Sequence, residues 1–264
     1  MTMTQGVFEA YKKDGTKYYR SSITFRNKHI SLGSYASENE AGEAYKEAKK
    51  VLDGSFGISD YSENQVLKFN KLVSLINFRD NGMYIKTPVY LQKRYFEYYY
   101  SPDVIYKFDV DDLFYYSHHT LMMRGGYLFV TDYGMQTNIL SRYGVKNHAA
   151  EGRDFIFVNG DNTDYRYGNI EIINRFYGVL KREKNGRVYF RTRIHINGDF
   201  VVGDYETEYE AAVAYNKAAD MVKDFGINID FQQNYIEELS AIDYAKIYNK
   251  VKISKKIRDF VQGY

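Results

Sequence analysis

The chain of 264 residues has no cysteine, no tryptophan and only two prolines. Without cysteine there is no disulfide, no thiolate nucleophile and no zinc site built on sulfur, a composition at home in a reducing cytoplasm. No run of 18 apolar residues occurs, which excludes a membrane-spanning helix of ordinary length. The opening Met1-Thr2-Met3-Thr4-Gln5 has neither a basic n-region nor an apolar h-region, so no secretory signal is expected. A large charge excess is missing too: the formal net charge is +2, too small by itself to imply a polyanionic partner, so the placement of the charges has to carry that argument. What abounds is tyrosine, with 29 Tyr beside 17 Phe. Tyrosine fills a core while satisfying its hydroxyl at an edge, and an AT-rich genome favours its codons. The tyrosines as a class therefore assign no function.

The length suffices for two or three small domains, and an internal repeat shows how they are arranged. Gly6-Val7, a polar turn, Lys17-Tyr18-Tyr19-Arg20-Ser21-Ser22-Ile23-Thr24-Phe25, Ile30-Ser31-Leu32-Gly33-Ser34-Tyr35 and Glu40-Ala41-Gly42-Glu43-Ala44-Tyr45 follow one another near the start. Gly178-Val179, Val188-Tyr189-Phe190-Arg191-Thr192-Arg193-Ile194-His195-Ile196, Val201-Val202-Gly203-Asp204-Tyr205 and Glu210-Ala211-Ala212-Val213-Ala214-Tyr215 answer them near the end. From Gly33 to Ala48 and from Gly203 to Ala218 the offset is a constant 170. Each copy predicts three strands and a helix. Tyr19, Ser21, Ile23 and Phe25 alternate with Arg20, Ser22, Thr24 and Arg26, and Phe190, Thr192, Ile194 and Ile196 with Tyr189, Arg191, Arg193 and His195, the period of half-buried strands. Ala41, Ala44, Tyr45 and Ala48 form a helical apolar stripe, and Ser37 with Glu40, like Thr207 with Glu210, has capping-box spacing.

The sheet face turned away from the helix is expected to be basic. Residues 1–35 carry Lys12, Lys13, Lys17, Arg20, Arg26 and Lys28 against Glu9 and Asp14. Residues 178–200 carry Lys181, Arg182, Lys184, Arg187, Arg191 and Arg193 against Glu183 and Asp199, with His195 on the same strand. A three-stranded ribbon bearing arginine can enter a DNA major groove, where arginine reads guanine edges and lysine at the turns holds phosphates. A solvated sheet face is the ordinary alternative for a charge-rich strand. The equal basic excess in both copies favours DNA, with Lys12, Lys13, Lys17, Arg20, Arg26, Lys181, Arg182, Arg187, Arg191, Arg193 and His195 as the expected contacts.

These segments resemble the AP2 DNA-binding domain, whose pattern runs Gly-Val, an aromatic-x-small-x-Ile strand, Leu-Gly-x-aromatic, then Glu-Ala-Ala-x-Ala-Tyr. The likeness covers about 50 residues per copy and is stronger at the C-terminus. The family's tryptophan of the second strand is Tyr19 in one copy and Phe190 in the other. The resemblance implies binding of double-stranded DNA.

Between the copies, residues 61–76 have helical spacing and predict a linker helix, followed by the Tyr-rich stretch Tyr95-Phe96-Glu97-Tyr98-Tyr99-Tyr100. Further on, Val158-Asn159-Gly160-Asp161-Asn162-Thr163-Asp164-Tyr165-Arg166-Tyr167-Gly168-Asn169-Ile170 resembles the HNH endonuclease module of phage homing-type enzymes, with hallmark H-x-N-G-D-x-x-D-N-R-x-x-N-L. The resemblance implies a ββα-metal scaffold. The first His of that pattern activates water, and a downstream Asn with other ligands holds one divalent cation. Here Phe157 stands in the place of the base, Tyr165 in that of the Asn of D-N-R, and Leu140-Ser141-Arg142 in that of L-H-R. Asn159, Gly160, Asp161, Asp164, Arg166 and Asn169 remain, mostly residues of turns, with Asn-Gly suited to a hairpin and Asp164 and Arg166 able to pair. His118 and His119 are adjacent and diverge, His148 precedes Phe157 by nine residues, and Asp109, Asp111 and Asp112 suit a cap or a turn as well as a metal.

The sequence therefore reads as α+β: an AP2-like module over 1–60, a linker helix and Tyr-rich segment over 61–100, a degenerate HNH-like domain over 101–174, a second AP2-like module over 175–232 and a basic helical tail over 233–264. In the tail, Ile236, Leu239, Ile242 and Tyr244 are the expected apolar anchors. The expected partner is double-stranded DNA, with a protein as a further candidate, and with no membrane, cofactor, metal, catalytic residue or small-molecule substrate assigned. By resemblance the origin is a phage or mobile element, acting in the host cytoplasm. Two rivals stand beside this reading: an HNH nicking endonuclease with unorthodox ligands, and a virion or interaction protein reusing these folds.

Overall fold

The first repeat folds as an antiparallel sheet of β1 (Val7–Tyr11), β2 (Lys17–Phe25) and β3 (Lys28–Tyr35), in that order, backed by α1 (Glu38–Leu52). The computed structural model describes residues 4–262; the reading of the chain's opening falls in part on Met1–Met3, which lie outside it. Ser37 caps α1 through the reciprocal capping box with Glu40. Its alanines, Ala41, Ala44 and Ala48, are fully buried, and Ile23, Ile30 and Leu32 of the sheet join the core on that side.

Next comes α2 (Phe69–Asn81). The helix expected over 61–76 begins later, and the reason is long-range. The Glu47 carboxylate of α1 accepts the amides of Val66 (3.3 Å) and Leu67 (2.7 Å), holding them outside helical geometry. Nor is α2 a linker: Leu72, Leu75, Ile76 and Phe78 pack into the core of the first module, and Gly82, at φ +74°, ends the helix. The Tyr-rich stretch is a strand. β4 (Val89–Leu91), β5 (Tyr95–Tyr99) and β6 (Ile105–Asp109) form a second antiparallel sheet, with α3 (Leu113–His118) after it. Phe96, Tyr98, Phe108 and Tyr116 are buried there in a cluster of rings. β7 (Met122–Arg124), β8 (Tyr127–Asp132) and β9 (Met135–Asn138) make a third sheet.

The chain divides into two compact units. The first runs to Ile139 and takes in Asp161–Asn169; the second comprises Leu140–Gly160 and the chain from Ile170 onward. The HNH-like stretch is thus shared between them. In the second unit β10 (Phe155–Phe157) pairs antiparallel with β11 (Ile170–Ile172). Asn159-Gly160 does not close a two-residue hairpin, since residues 158–169 separate the two strands. The helix that would complete a ββα arrangement does not form either, among the described residues. The amides of Ile173 (2.8 Å) and Asn174 (3.0 Å) donate to Asp154 O, and the Asn174 side chain accepts from the Lys181 amide (2.7 Å), which leads the chain straight into the next sheet.

That sheet is the second repeat: β12 (Val179–Lys184), β13 (Arg187–His195) and β14 (Asp199–Tyr205), in that order, backed by α4 (Glu208–Asp224). The two repeats agree in detail. A bulge interrupts β2–β3 between Ser21 and Ser22, and one interrupts β13–β14 at the corresponding Thr192 and Arg193. Gly6 (φ +75°) and Gly178 (φ +68°) sit against the Tyr45 and Tyr215 rings, where a Cβ would come within 2.2 Å and 2.3 Å of ring carbons. This explains why the repeated Gly and Tyr occur together. The C-terminal α5 (Ala241–Lys250) and α6 (Lys255–Gln262) are docked on this module. Ser254 N donates to Val202 O of β14 (2.9 Å), and Val251, Ile253 and Ile257 join its core. Of the expected anchors, Ile236 is buried and Leu239 and Tyr244 partly so, whereas Ile242 is exposed.

Candidate nucleic-acid interface

Cross-strand neighbours share a face of an antiparallel sheet. The register of the second repeat therefore places Arg182, Lys184, Arg187, Tyr189, Arg191, Arg193 and His195 on one face with Asp199, Val201 and Asp204. The other face holds Thr192 and Ile194 against α4, with Thr192 Oγ1 donating to Ala211 O (2.9 Å). Lys181, opposite Phe190, belongs to that helix side although its side chain is exposed.

The basic groups on the outer face differ in how far they are committed. Arg191 makes two parallel bonds to Asp204 (2.7 and 2.8 Å), which hold the carboxyl below its ordinary range and raise the guanidinium further. His195 Nδ1 lies 3.0 Å from Asp199, and Arg187 pairs with Glu206 at 2.7 Å. These pairs are solvent-exposed, and such pairs contribute about 0–1 kcal/mol, so they can exchange partners. Arg182, Lys184 and Arg193 are exposed and make no ion pair among the described residues.

Beside Arg193 lies a hollow of about 290 Å³, also lined by Asn147, His148, Arg153 and Asp199. Its floor is a buried ion pair. Lys146 Nζ stands 2.9 Å from Asp154 Oδ1 and donates to Phe176 O (2.9 Å), while Asp154 Oδ2 accepts from Arg153 and from the Ala150 amide. Burial pushes the Lys146 ammonium down from its ordinary value, only partly offset by Asp154. For Asp154, burial raises the carboxyl, but Arg153, the Ala150 amide and Lys146 together bring it below its ordinary value. The pair fixes the loop that presents His148 and Arg153. Residue types alone did not single out Arg153 and Asn147; the available signal was the basic spacing of Lys146, His148 and Arg153.

The outer face of the first repeat is less basic. Arg20 sits opposite the exposed Phe8 and Ser34, with Ser22 opposite Ser31 and Thr24 opposite His29. Arg20, Lys12 and Lys13 are exposed and make no ion pair among the described residues. Lys17 is held by Glu9 at 2.7 Å, on the face of Tyr19. Arg26, in the β2–β3 turn at φ +46°, donates to Phe78 O at the end of α2 (3.2 Å) and lies over the Phe25 ring. Its place is structural.

The HNH-like stretch is likewise occupied by packing. Phe157 is buried with its ring edge-on to Phe155. Tyr165 is buried between Tyr106 and Phe108, and the Lys107 backbone brackets its segment, accepting from Tyr165 N (2.8 Å) and donating to Thr163 O (2.9 Å). Asn169 Nδ2 donates to Asp164 O (2.8 Å) and Asp161 O (3.3 Å), a turn lock. Arg166 and Asp164 pair at 2.6 Å as expected, ahead of a single 3-10 turn, Tyr167–Asn169. Asp109 accepts the Tyr167 amide (2.6 Å), and Asp112 the Tyr167 hydroxyl (3.4 Å). His119 stacks on Tyr115, 3.5 Å from Asp132, and His118 is engaged with Ser117. Among the described residues no group of three or more His, Asp or Glu comes together as a ligand set. No helix among them is long and apolar enough to cross a membrane. No family model matches the chain, and no curated protein or solved structure matches it either.

Proposed function

We propose that this chain binds double-stranded DNA, principally through the outer face of β12–β14, and that its central region has lost a nuclease's chemistry. The observation that carries the reading is the register of the second repeat, which gathers Arg182, Lys184, Arg187, Arg191 and Arg193 on one exposed face against Asp199 and Asp204. Arg193 is the candidate for a base edge, because it is exposed, makes no ion pair among the described residues and lies on the outer face of β13. Arg182 and Lys184, toward the β12–β13 turn, suit phosphates, as do Arg153 and His148 in the neighbouring hollow. In this reading the end modules are AP2-like, and the stretch from Phe157 to Asn169 is the remnant of an HNH module of phage or mobile-element origin. Phenylalanine cannot take a proton from water, and Asn169 serves as a turn lock.

A second reading concerns the first module alone. Phe8 is 55% exposed beside Arg20 on a face that also carries Ala10, Tyr18, His29 and several hydroxyls, a surface suited to a protein partner. Fluorescence anisotropy with a 30-base-pair duplex tests the main reading: the wild-type chain is expected to bind, and Arg193→Ala to bind more weakly. Equal affinities of the two proteins, or no binding by either, would remove it.

A further inference from the structure

One cleft of the first unit reaches the sheet at β3, taking in His29 and Ser31 of its outer face. It has a volume of about 810 Å³ and is bounded by β3, the segment following α2, and α3, a size ordinary for a small-ligand site. Its walls carry Lys28, Lys71 and Lys86 with His29 and His118, and no carboxylate among the described residues lines it. In a chain whose acidic and basic residues nearly balance, three lysines lining one cleft without a carboxylate form a locally cationic concavity.

The lysines are ordered. Tyr84 holds two of them: Lys71 Nζ donates to its hydroxyl (2.8 Å) and lies 5.5 Å from its ring centroid, and Lys28 Nζ lies 5.4 Å from the same centroid. Lys71 is fixed at the hydroxyl of Tyr84 and Lys28 stands near the same ring, so two ammonium groups are ordered at the cleft, where an anion would meet them. Apart from Ser31 and Ser117, the remaining lining is apolar or aromatic. Phe114 is 81% exposed, with its ring tilted on His118 at 4.9 Å, and Met83 is also exposed. A phenylalanine so bare contributes little to the core and offers its face to a flat ligand.

We propose that this cleft binds a nucleobase–phosphate ligand, with the base on Phe114 and Met83 and the phosphate on Lys28, Lys71 and Lys86. Aromatic stacking platforms interleaved with lysine are how proteins hold unpaired nucleotides without reading sequence. The same chemistry is offered by a single-stranded segment of nucleic acid and by a free nucleotide. The proposal is independent of duplex binding by β12–β14.

The test is anisotropy of the full chain with a fluorescein-labelled ten-nucleotide oligothymidine, with ATP as competitor. Binding is expected to weaken at least about fivefold in Phe114→Ala and in Lys86→Glu, the lower end of the loss of one stacked base, and to persist in Arg193→Ala. Phe114 and Lys86 are exposed, so both variants should fold, and circular dichroism confirms it. Displacement by ATP at concentrations near the oligonucleotide's own affinity assigns the cleft to free nucleotides; oligonucleotide binding that ATP leaves intact assigns it to strands. No binding of either ligand, or binding unchanged in both variants, overturns the proposal. Loss of oligonucleotide binding in Arg193→Ala alone would likewise overturn it, by placing the strand on the second module.

Discussion

Arg193 and Arg26 were equivalent in the sequence, two arginines in a basic repeat, yet their surroundings give them opposite expected phenotypes. Arg193→Ala should lower duplex affinity by about 1–3 kcal/mol if it reads a base edge, with an unchanged unfolding midpoint. Arg26→Ala should leave affinity alone and cost about 1 kcal/mol of stability, the bond to Phe78 O. Binding isotherms and denaturant melts on the two variants separate these outcomes. Asp154 gives a third residue-scale prediction. Its substitution by Ala leaves the Lys146 ammonium, whose side chain is 10% exposed, without a counter-charge, at a cost of about 3–5 kcal/mol in a denaturant melt. Because the Asp154 carboxyl is held below its unfolded value, its contribution is present above the ordinary carboxylate range and lost as pH falls through the lowered folded value. Acid melts of the wild type should show that loss, and Asp154→Asn should flatten it.

Among elements, the repeated strands and helices were legible because their signals are local: alternation along β2 and β13, alanine stripes, and Ser37 and Thr207 at the helix starts. What escaped depends on residues far apart in sequence. Glu47 delays α2 by holding Val66 and Leu67, and no local pattern announces that. The pairing of Arg191 with Asp204 depends on the β13–β14 register next to the bulge at Thr192 and Arg193, so a charge count could not tell Arg191 from Arg193. For the same reason Lys17 and Lys181 counted as interface residues, although register sets them on the helix side. The glycine that opens each repeat yields an element-scale prediction. Gly178→Ala places a Cβ 2.3 Å from both the Tyr215 ring and Arg193 O, at φ +68°, whereas at Gly186, φ +74°, the space is open. The first should cost on the order of 3 kcal/mol, from the left-handed backbone and overpacking together, and the second about 1 kcal/mol. Equal melts of the two variants would show that the Gly–Tyr contact does not set the module's packing.

For the whole molecule, the proposal is duplex binding by the second repeat without hydrolysis by the central region. Purified protein is expected not to nick supercoiled plasmid with magnesium, manganese or zinc. Phe157→His alone should not restore cleavage, because Ser141 stands where the resemblance would place a ligand and Asn169 is tied to Asp161 and Asp164. Chelator-sensitive nicking by the unmodified chain would reinstate the enzyme reading. Duplex binding through the exposed cations around β12–β14 is checked by measuring affinity for a 30-base-pair duplex across a series of salt concentrations. With Arg182, Lys184, Arg153 and Arg187 on phosphates, about four contacts at about −0.9 each give a slope near −3.5 in log K against log salt. A double Arg182→Ala, Lys184→Ala variant should reduce the slope by about two contacts' worth. A slope near zero, or one unchanged in that variant, would contradict the account.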